Sequence, residues 1–158
     1  MTLTNIVCKY WVFRMNFVIL PRILYVDSDK TSREFFKNWL DRHERGYRLT
    51  CSDGAANALE RIALGPFDFY LLEYCLGEMT GPELCRRIRE KDMTTPVIVC
   101  SPLSREIDRN TALSAGASGY LVKPDELSRL AAIMRGFLGT NSRPRRLFHT
   151  ARRGSAII

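Results

Sequence analysis

The sequence predicts an α/β fold, a single five-stranded parallel sheet wound on both faces by helices, and three observations predict it. Short apolar runs alternate with longer stretches whose apolar residues fall at helical spacing, and the alternation occurs five times. The connections are short, which forces parallel strands and right-handed crossovers into one open sheet. Polar residues then follow the apolar runs at their C-terminal ends: Asp27, Ser28 and Asp29 after ILYV, Glu73 after FYLL, Ser101 after PVIVC and Lys123 after SGYLV. In such a sheet those ends line the crevice where ligands and chemistry sit.

Taken in order, ILYV (23–26) reads as a buried strand. Lys30 to about His43 carries Phe35, Phe36, Trp39 and Leu40 at helical spacing, with Asp29 or Ser28 placed as its cap. YRLTCS (47–52) is the second strand; Asp53 is expected to cap a helix that runs through Leu64 and stops at Gly65-Pro66. FYLL is the third strand, and a helix over Pro82 to Glu90 turns Leu84, Cys85 and Ile88 to the core. Pro96 to Cys100 is the fourth strand, 105–115 a helix, Gly119 to Val122 the fifth strand, and Asp125 to Leu138 a last helix with Leu127, Leu130, Ala131, Met134 and Leu138 as its stripe.

Composition bounds the rest. All 17 acids lie between residues 21 and 138, where 17 of the 24 lysines and arginines balance them, so the net charge of +7 belongs to the two ends. Five cysteines, an odd number without CxxC spacing, suit buried thiols in a reducing, cytoplasmic setting. Two histidines remote from every cysteine give zinc little support. The organisation is an N-terminal extension (1–20), one domain (21–138) and a basic tail (139–158). Lys9, Arg14 and Asn16 break the first segment below the length of a membrane span, and it lacks the order of a secretory signal. It reads as an extension, or as sequence ahead of a true start at Met15, or as an extra strand or partner-binding segment, since Trp11, Phe13, Met15 and Phe17 alternate. The tail carries five arginines and no acid; it reads as a solvated end, with a nucleic-acid contact the lesser reading.

Asp27, Asp29, Glu73, Ser101 and Lys123 make a coherent set. Clustered carboxylates persist when a hard cation such as Mg2+ or a lysine ammonium compensates them. A hydroxyl and an ammonium facing them supply what a phosphoryl group needs. Singly, Lys123 before Pro124 reads as a strand stop, Ser101 before Pro102 as a turn, Tyr120 as packing, and Asp27 or Asp29 as helix caps; in order along successive strand tips they read as a site.

The stretches ILYVDSDK, FDFYLLEYCLGEMTGPELCRRIR, PVIVCS and ALSAGASGYLVKP resemble the receiver domain of bacterial two-component response regulators, over about Arg22 to Leu138. The resemblance implies a flavodoxin-like (βα)5 receiver fold and a role in phosphorelay signalling through protein–protein contacts rather than enzymatic turnover. It places the phosphoacceptor at position 73, the switch hydroxyl at Ser101, the aromatic that moves with it at Tyr120 and the phosphate-reading lysine at Lys123. It also implies a Mg2+ site at Asp27, Ser28, Asp29 and Cys75, a histidine kinase or other signalling protein as partner, and a homodimer surface on the fourth helix, fifth strand and fifth helix.

Two departures from the family pattern bear on chemistry. Position 73 holds glutamate where the family has aspartate, which moves the carboxylate by over an ångström, and misplacement on that scale costs about a hundredfold in rate. Ser28 stands where the second acid is expected, offering a metal a neutral oxygen, so Mg2+ binding should be weak unless Asp29 bends in. The longer glutamate also reaches towards Lys123 and Ser101, imitating part of a phosphoaspartate with one charge instead of about two. The expectation is a phosphorylation-independent or constitutively active-like module, with a working phosphoacceptor as the alternative.

An enzyme reading also stands. YVDSDKTS resembles the nucleophile motif of haloacid dehalogenase-type phosphatases, with Asp27 as nucleophile, Asp29 as general acid, and Ser101 and Lys123 as phosphate binders. It lacks a further acidic motif beyond Asp125 and Glu126 and leaves Glu73 without a role.

Overall fold

Residues 23–26 alternate their side chains between two helical layers, and so do the strands beside them, which is why the central strands are apolar through their interiors, with Arg22 and Ser101 only at strand ends. A computed structural model describes residues 20–139. Its strands are β1 (Arg22–Val26), β2 (Arg48–Ser52), β3 (Phe69–Leu72), β4 (Val97–Ser101) and β5 (Gly119–Val122), all parallel in the order β2-β1-β3-β4-β5. The helices are α1 (Lys30–His43), α2 (Ala55–Ala63), α3 (Gly81–Arg89), α4 (Glu106–Ser114) and α5 (Leu130–Leu138). The order reverses between β1 and β3, where a doubly wound sheet opens its binding crevice. Register then aligns the tips: Val26 pairs with Ser52 and Leu72, Leu72 with Val99, and Ser101 with Val122.

Two apolar layers flank the sheet. Leu24, Val26, Tyr70, Leu72 and Val97 meet Ala55 and Ala58 of α2 and Leu84, Cys85 and Ile88 of α3. Ile23, Tyr25, Phe69, Leu71, Ile98, Cys100 and Leu121 face the other way, onto Phe36 and Leu40 of α1 and Leu130 and Met134 of α5. Val99 and Tyr120 lie against Ala112 of α4. The strict odd-even split follows from the two-residue period of a strand. On α1 the stripe is narrower than its sequence suggests, because Phe35 is turned outward and 58% exposed.

Several boundaries shift by a residue, and three helix starts are fixed differently from expectation. Asp53 does not cap α2; Gly54 occupies that position with no side-chain bond, and Ser52 ties the turn instead by donating to the Gly54 carbonyl and meeting Asn57 Oδ1, each at 2.9 Å. The start of α3 is a capping box unread from the sequence: Thr80 Oγ1 accepts from Glu83 N, and the Glu83 carboxylate accepts from Thr80 N. The last helix begins five residues later than Asp125. Residues 123–126 form a turn and Leu127–Arg129 one 3-10 turn before α5. The cause is Glu126, whose N–H donates to the Val122 carbonyl and whose carboxylate accepts from Val122 N, folding the chain back onto β5.

The N-terminal extension and the basic tail lie outside the described residues, apart from Leu20 and Gly139. Among the described residues no helix is long and apolar enough to cross a membrane.

Candidate functional site

At the tip of β1 the chain places Asp27, 2% exposed, two residues after Tyr25 and therefore on the same side of the strand. The Tyr25 hydroxyl donates to Asp27 Oδ2 at 2.6 Å, and the Asp29 N–H donates to Oδ1 at 3.0 Å. Arg33, one turn into α1, donates to the Asp27 carbonyl at 2.7 Å. Burial, then the bonded carboxylate, push the Tyr25 phenol far above its ordinary range, so it remains a donor.

Glu73 leaves β3 buried, with Oε1 accepting from Tyr74 N at 2.7 Å. Its other oxygen lies 2.6 Å from Lys123 Nζ, and the same ammonium is 3.3 Å from Asp27 Oδ2. One cation therefore compensates two carboxylates. Burial pulls the lysine pKa down, but the hydrogen bond and charge of Glu73, with Asp27 behind them, outweigh it and leave it above its ordinary value. The loop after Glu73 is held close by Gly81, whose N–H donates to the Tyr74 carbonyl at 2.7 Å. A Cβ at Gly81 would stand 2.3 Å from the Glu73 carbonyl oxygen, which is why glycine is needed there.

Ser101 ends β4 fully buried, its hydroxyl accepting from Leu103 N at 3.4 Å. Tyr120 lies behind it, only 4% exposed, and donates to the Leu103 carbonyl at 2.7 Å. Burial is the main reason its phenol is pushed up to about 12. Tyr74 meets the ring edge-on, with centroids 6.5 Å apart.

Of the residues singled out from the sequence, Asp27, Ser28, Asp29, Glu73, Cys75, Ser101 and Lys123 line one cavity of about 480 Å³, and Tyr120 is set behind it. Tyr25 and Arg33 escaped sequence reasoning, although the two-residue offset of Tyr25 from Asp27 was a usable signal. Asp29 does not bend in as a metal ligand. Its carboxylate accepts from Thr31 N, Ser32 N and the Ser32 hydroxyl as the cap of α1, and those bonds, the hydroxyl first, hold its pKa below the ordinary value.

In this arrangement the donor set does not fit a Mg2+ ion. Both Asp27 oxygens and both Glu73 oxygens already accept bonds from the protein, Asp29 faces its helix, and Ser28 and Cys75 add no charged oxygen. Among the described residues no three His, Cys, Asp or Glu side chains are arranged to hold a metal. Cys100 lies buried beneath the site, its thiol pushed up to about 12 chiefly by burial.

A parallel sheet in this order, with an acid at its first and third tips, a hydroxyl at its fourth and a lysine at its fifth, defines a phosphosignalling receiver rather than a nucleotide cradle. The chain matches the response regulator receiver domain over residues 23–135 and belongs to that family. It is 30% identical over 119 residues to the response regulator ArlR of Staphylococcus epidermidis, a match covering 75% of this chain and 53% of that protein. It is 34% identical over 117 residues to the response regulator MprA of Mycobacterium ulcerans, covering 74% of this chain and 50% of that protein. The chain thus spans about half the length of these relatives. Among solved structures, a two-component response regulator from Clostridium difficile superposes with a TM-score of 0.68 at 27% identity, covering 75% of this chain and 95% of that one. The BeF3-activated DrrB receiver domain gives 0.68 at 27%, covering 76% and 98%.

Proposed function

We propose that this receiver domain signals by protein–protein contact without being phosphorylated, with Glu73 holding Lys123 in an active-like pairing. The observation that carries the reading is the 2.6 Å ion pair between Glu73 and Lys123. The longer side chain brings an anion to the lysine that reads the phosphoryl group in receivers, with one charge in place of about two. Attack on a phosphodonor is disfavoured on two counts. The Glu73 oxygens are occupied by Lys123 and Tyr74 N, and Asp27 is held by Tyr25, Asp29 N and Lys123 instead of presenting open oxygens to a metal.

The partner on this reading is a histidine kinase or another signalling protein in the cytoplasm, and the face of α4, β5 and α5 is the candidate surface for it or for a homodimer. Ile107 and Leu113 of α4 and Phe137 of α5 are exposed apolar residues on its two helices, at 63%, 43% and 52%. The phosphatase reading loses its general acid, because the Asp29 carboxylate is bound to the start of α1 and not aimed beside Asp27.

Intact-mass analysis after incubation with a small-molecule phosphodonor and Mg2+ tests the proposal. The natural protein is expected to stay unmodified, Glu73→Asp to gain a little adduct, and Ser28→Asp with Glu73→Asp to gain more. A stable adduct on the natural chain, mapped to Glu73, makes it a working phosphoswitch and ends the proposal.

A further inference from the structure

Tyr120 has contacts outside the acidic cavity as well as within it. Arg109, on α4, sets its guanidinium carbon 5.3 Å from the centre of the Tyr120 ring, within cation–π range. Its Nη1 donates to the Tyr120 carbonyl at 3.1 Å, and its Nη2 meets Glu126 Oε2 at 3.3 Å. That carboxylate is itself fixed: Oε2 accepts from Val122 N at 2.9 Å and Oε1 from Arg129 at 2.6 Å. The planar fork of one arginine thus spans the ring, the backbone of its residue and the turn that follows β5.

The geometry points to Arg109 and Glu126 as a clasp that positions the switch aromatic, so that Tyr120 stays inward whatever the state of the cavity around Glu73. For Tyr120 to swing outward its ring must leave the guanidinium and its hydroxyl must leave the Leu103 carbonyl. On the pocket side the Ser101 hydroxyl, which accepts from Leu103 N, also hydrogen-bonds the Tyr120 side chain, while Lys123 engages only carboxylates. Arg109 is partly exposed, at 40%, and Glu126 less so, at 24%, so the clasp sits at the surface where side chains can be changed without opening the core. The inference rests on reading Ser101 and Tyr120 as a switch pair, but not on whether Glu73 accepts phosphate.

The test is fluorine NMR of the full chain labelled with 3-fluorotyrosine, with Tyr120 assigned through Tyr120→Phe. Arg109→Met is expected to raise the outward population of Tyr120 about tenfold, the size that loss of one cation–π contact and one screened ion pair implies. Arg109→Lys should lie between, since an ammonium reaches one acceptor where the fork reaches two. Glu126→Gln still accepts from Val122 N, so it keeps the turn while weakening the hold on Arg109, and circular dichroism checks that each variant is folded. Glu73→Gln should leave Tyr120 where it is. An unmoved Tyr120 resonance in folded Arg109→Met and Glu126→Gln, or an equal movement in Glu73→Gln, overturns the clasp. A phosphoadduct on the natural chain overturns the proposed function instead and leaves these spectra unaffected.

Discussion

Lys123 decides the electrostatics of the site, because two carboxylates with little access to water share its single charge. The side chain is 22% exposed, and its partners Glu73 and Asp27 are 10% and 3% exposed. Removing a cation from such a group leaves anions that are desolvated and uncompensated. Lys123→Met is expected to lower stability by about 1–3 kcal/mol, less than for a fully buried pair because solvent still reaches the ammonium, as measured by urea unfolding. Its pKa is raised in the folded state, so its contribution is complete below the unfolded value of about 10.4 and is lost as pH rises through the higher folded value. Thermal melts from pH 9 to 11.5 should show the natural chain losing this advantage over Lys123→Met at the alkaline end. A constant gap across that range would mean that the lysine stabilises by packing alone.

At the scale of elements, strands and their tips were legible in the sequence and the edges of helices less so. The β3 run FYLL and the β5 run GYLV match the observed strands residue for residue, because a strand buried on both faces is written as an uninterrupted apolar word. Helix starts depend on single hydrogen bonds with competitors nearby. Asp53 lost the start of α2 to a turn built by Ser52, and Asp125 lost the start of the last helix because Glu126 bonds backward to Val122. The site shows the same division. Positions 27, 73, 101 and 123 follow from strand ends and the reach of Tyr25 to Asp27 from their two-residue offset, whereas the turning of Asp29 to its helix is a choice of side-chain direction that no periodicity encodes. Gly81 joins the two levels, since α3 begins where the loop from Glu73 needs room. Gly81→Ala should cost about 1–3 kcal/mol through crowding of the Glu73 carbonyl and should broaden the amide resonance of Tyr74, whose N–H binds the Glu73 carboxylate. An unaltered Tyr74 amide with native stability would show that the loop relaxes freely.

For the whole molecule, the question is whether folding is linked to a ligand at the strand tips. A group that binds only the native state adds stability as the logarithm of its saturation, about 2.7 kcal/mol at a hundred times its dissociation constant. In this chain the charge at the tips is already balanced from within: Lys123 lies against both acids, the Tyr25 hydroxyl shares Asp27 Oδ2 with it, and the Asp29 N–H takes Oδ1. A divalent ion would have to displace those bonds and would find Ser28 neutral and Asp29 engaged by Thr31 and Ser32. Addition of 10 mM Mg2+, alone or with beryllofluoride, should therefore shift the melting temperature of the natural chain by less than about 1 °C. In the variant combining Ser28→Asp with Glu73→Asp the shorter carboxylate withdraws from Lys123 and a second acid faces Asp27. The same additions should then raise the melting temperature by several degrees, on the order of 2–4 °C for each kcal/mol gained. A rise of that size in the natural chain would place a metal in the pocket despite its internal cation, and the balance read from Lys123 and Tyr25 would be wrong.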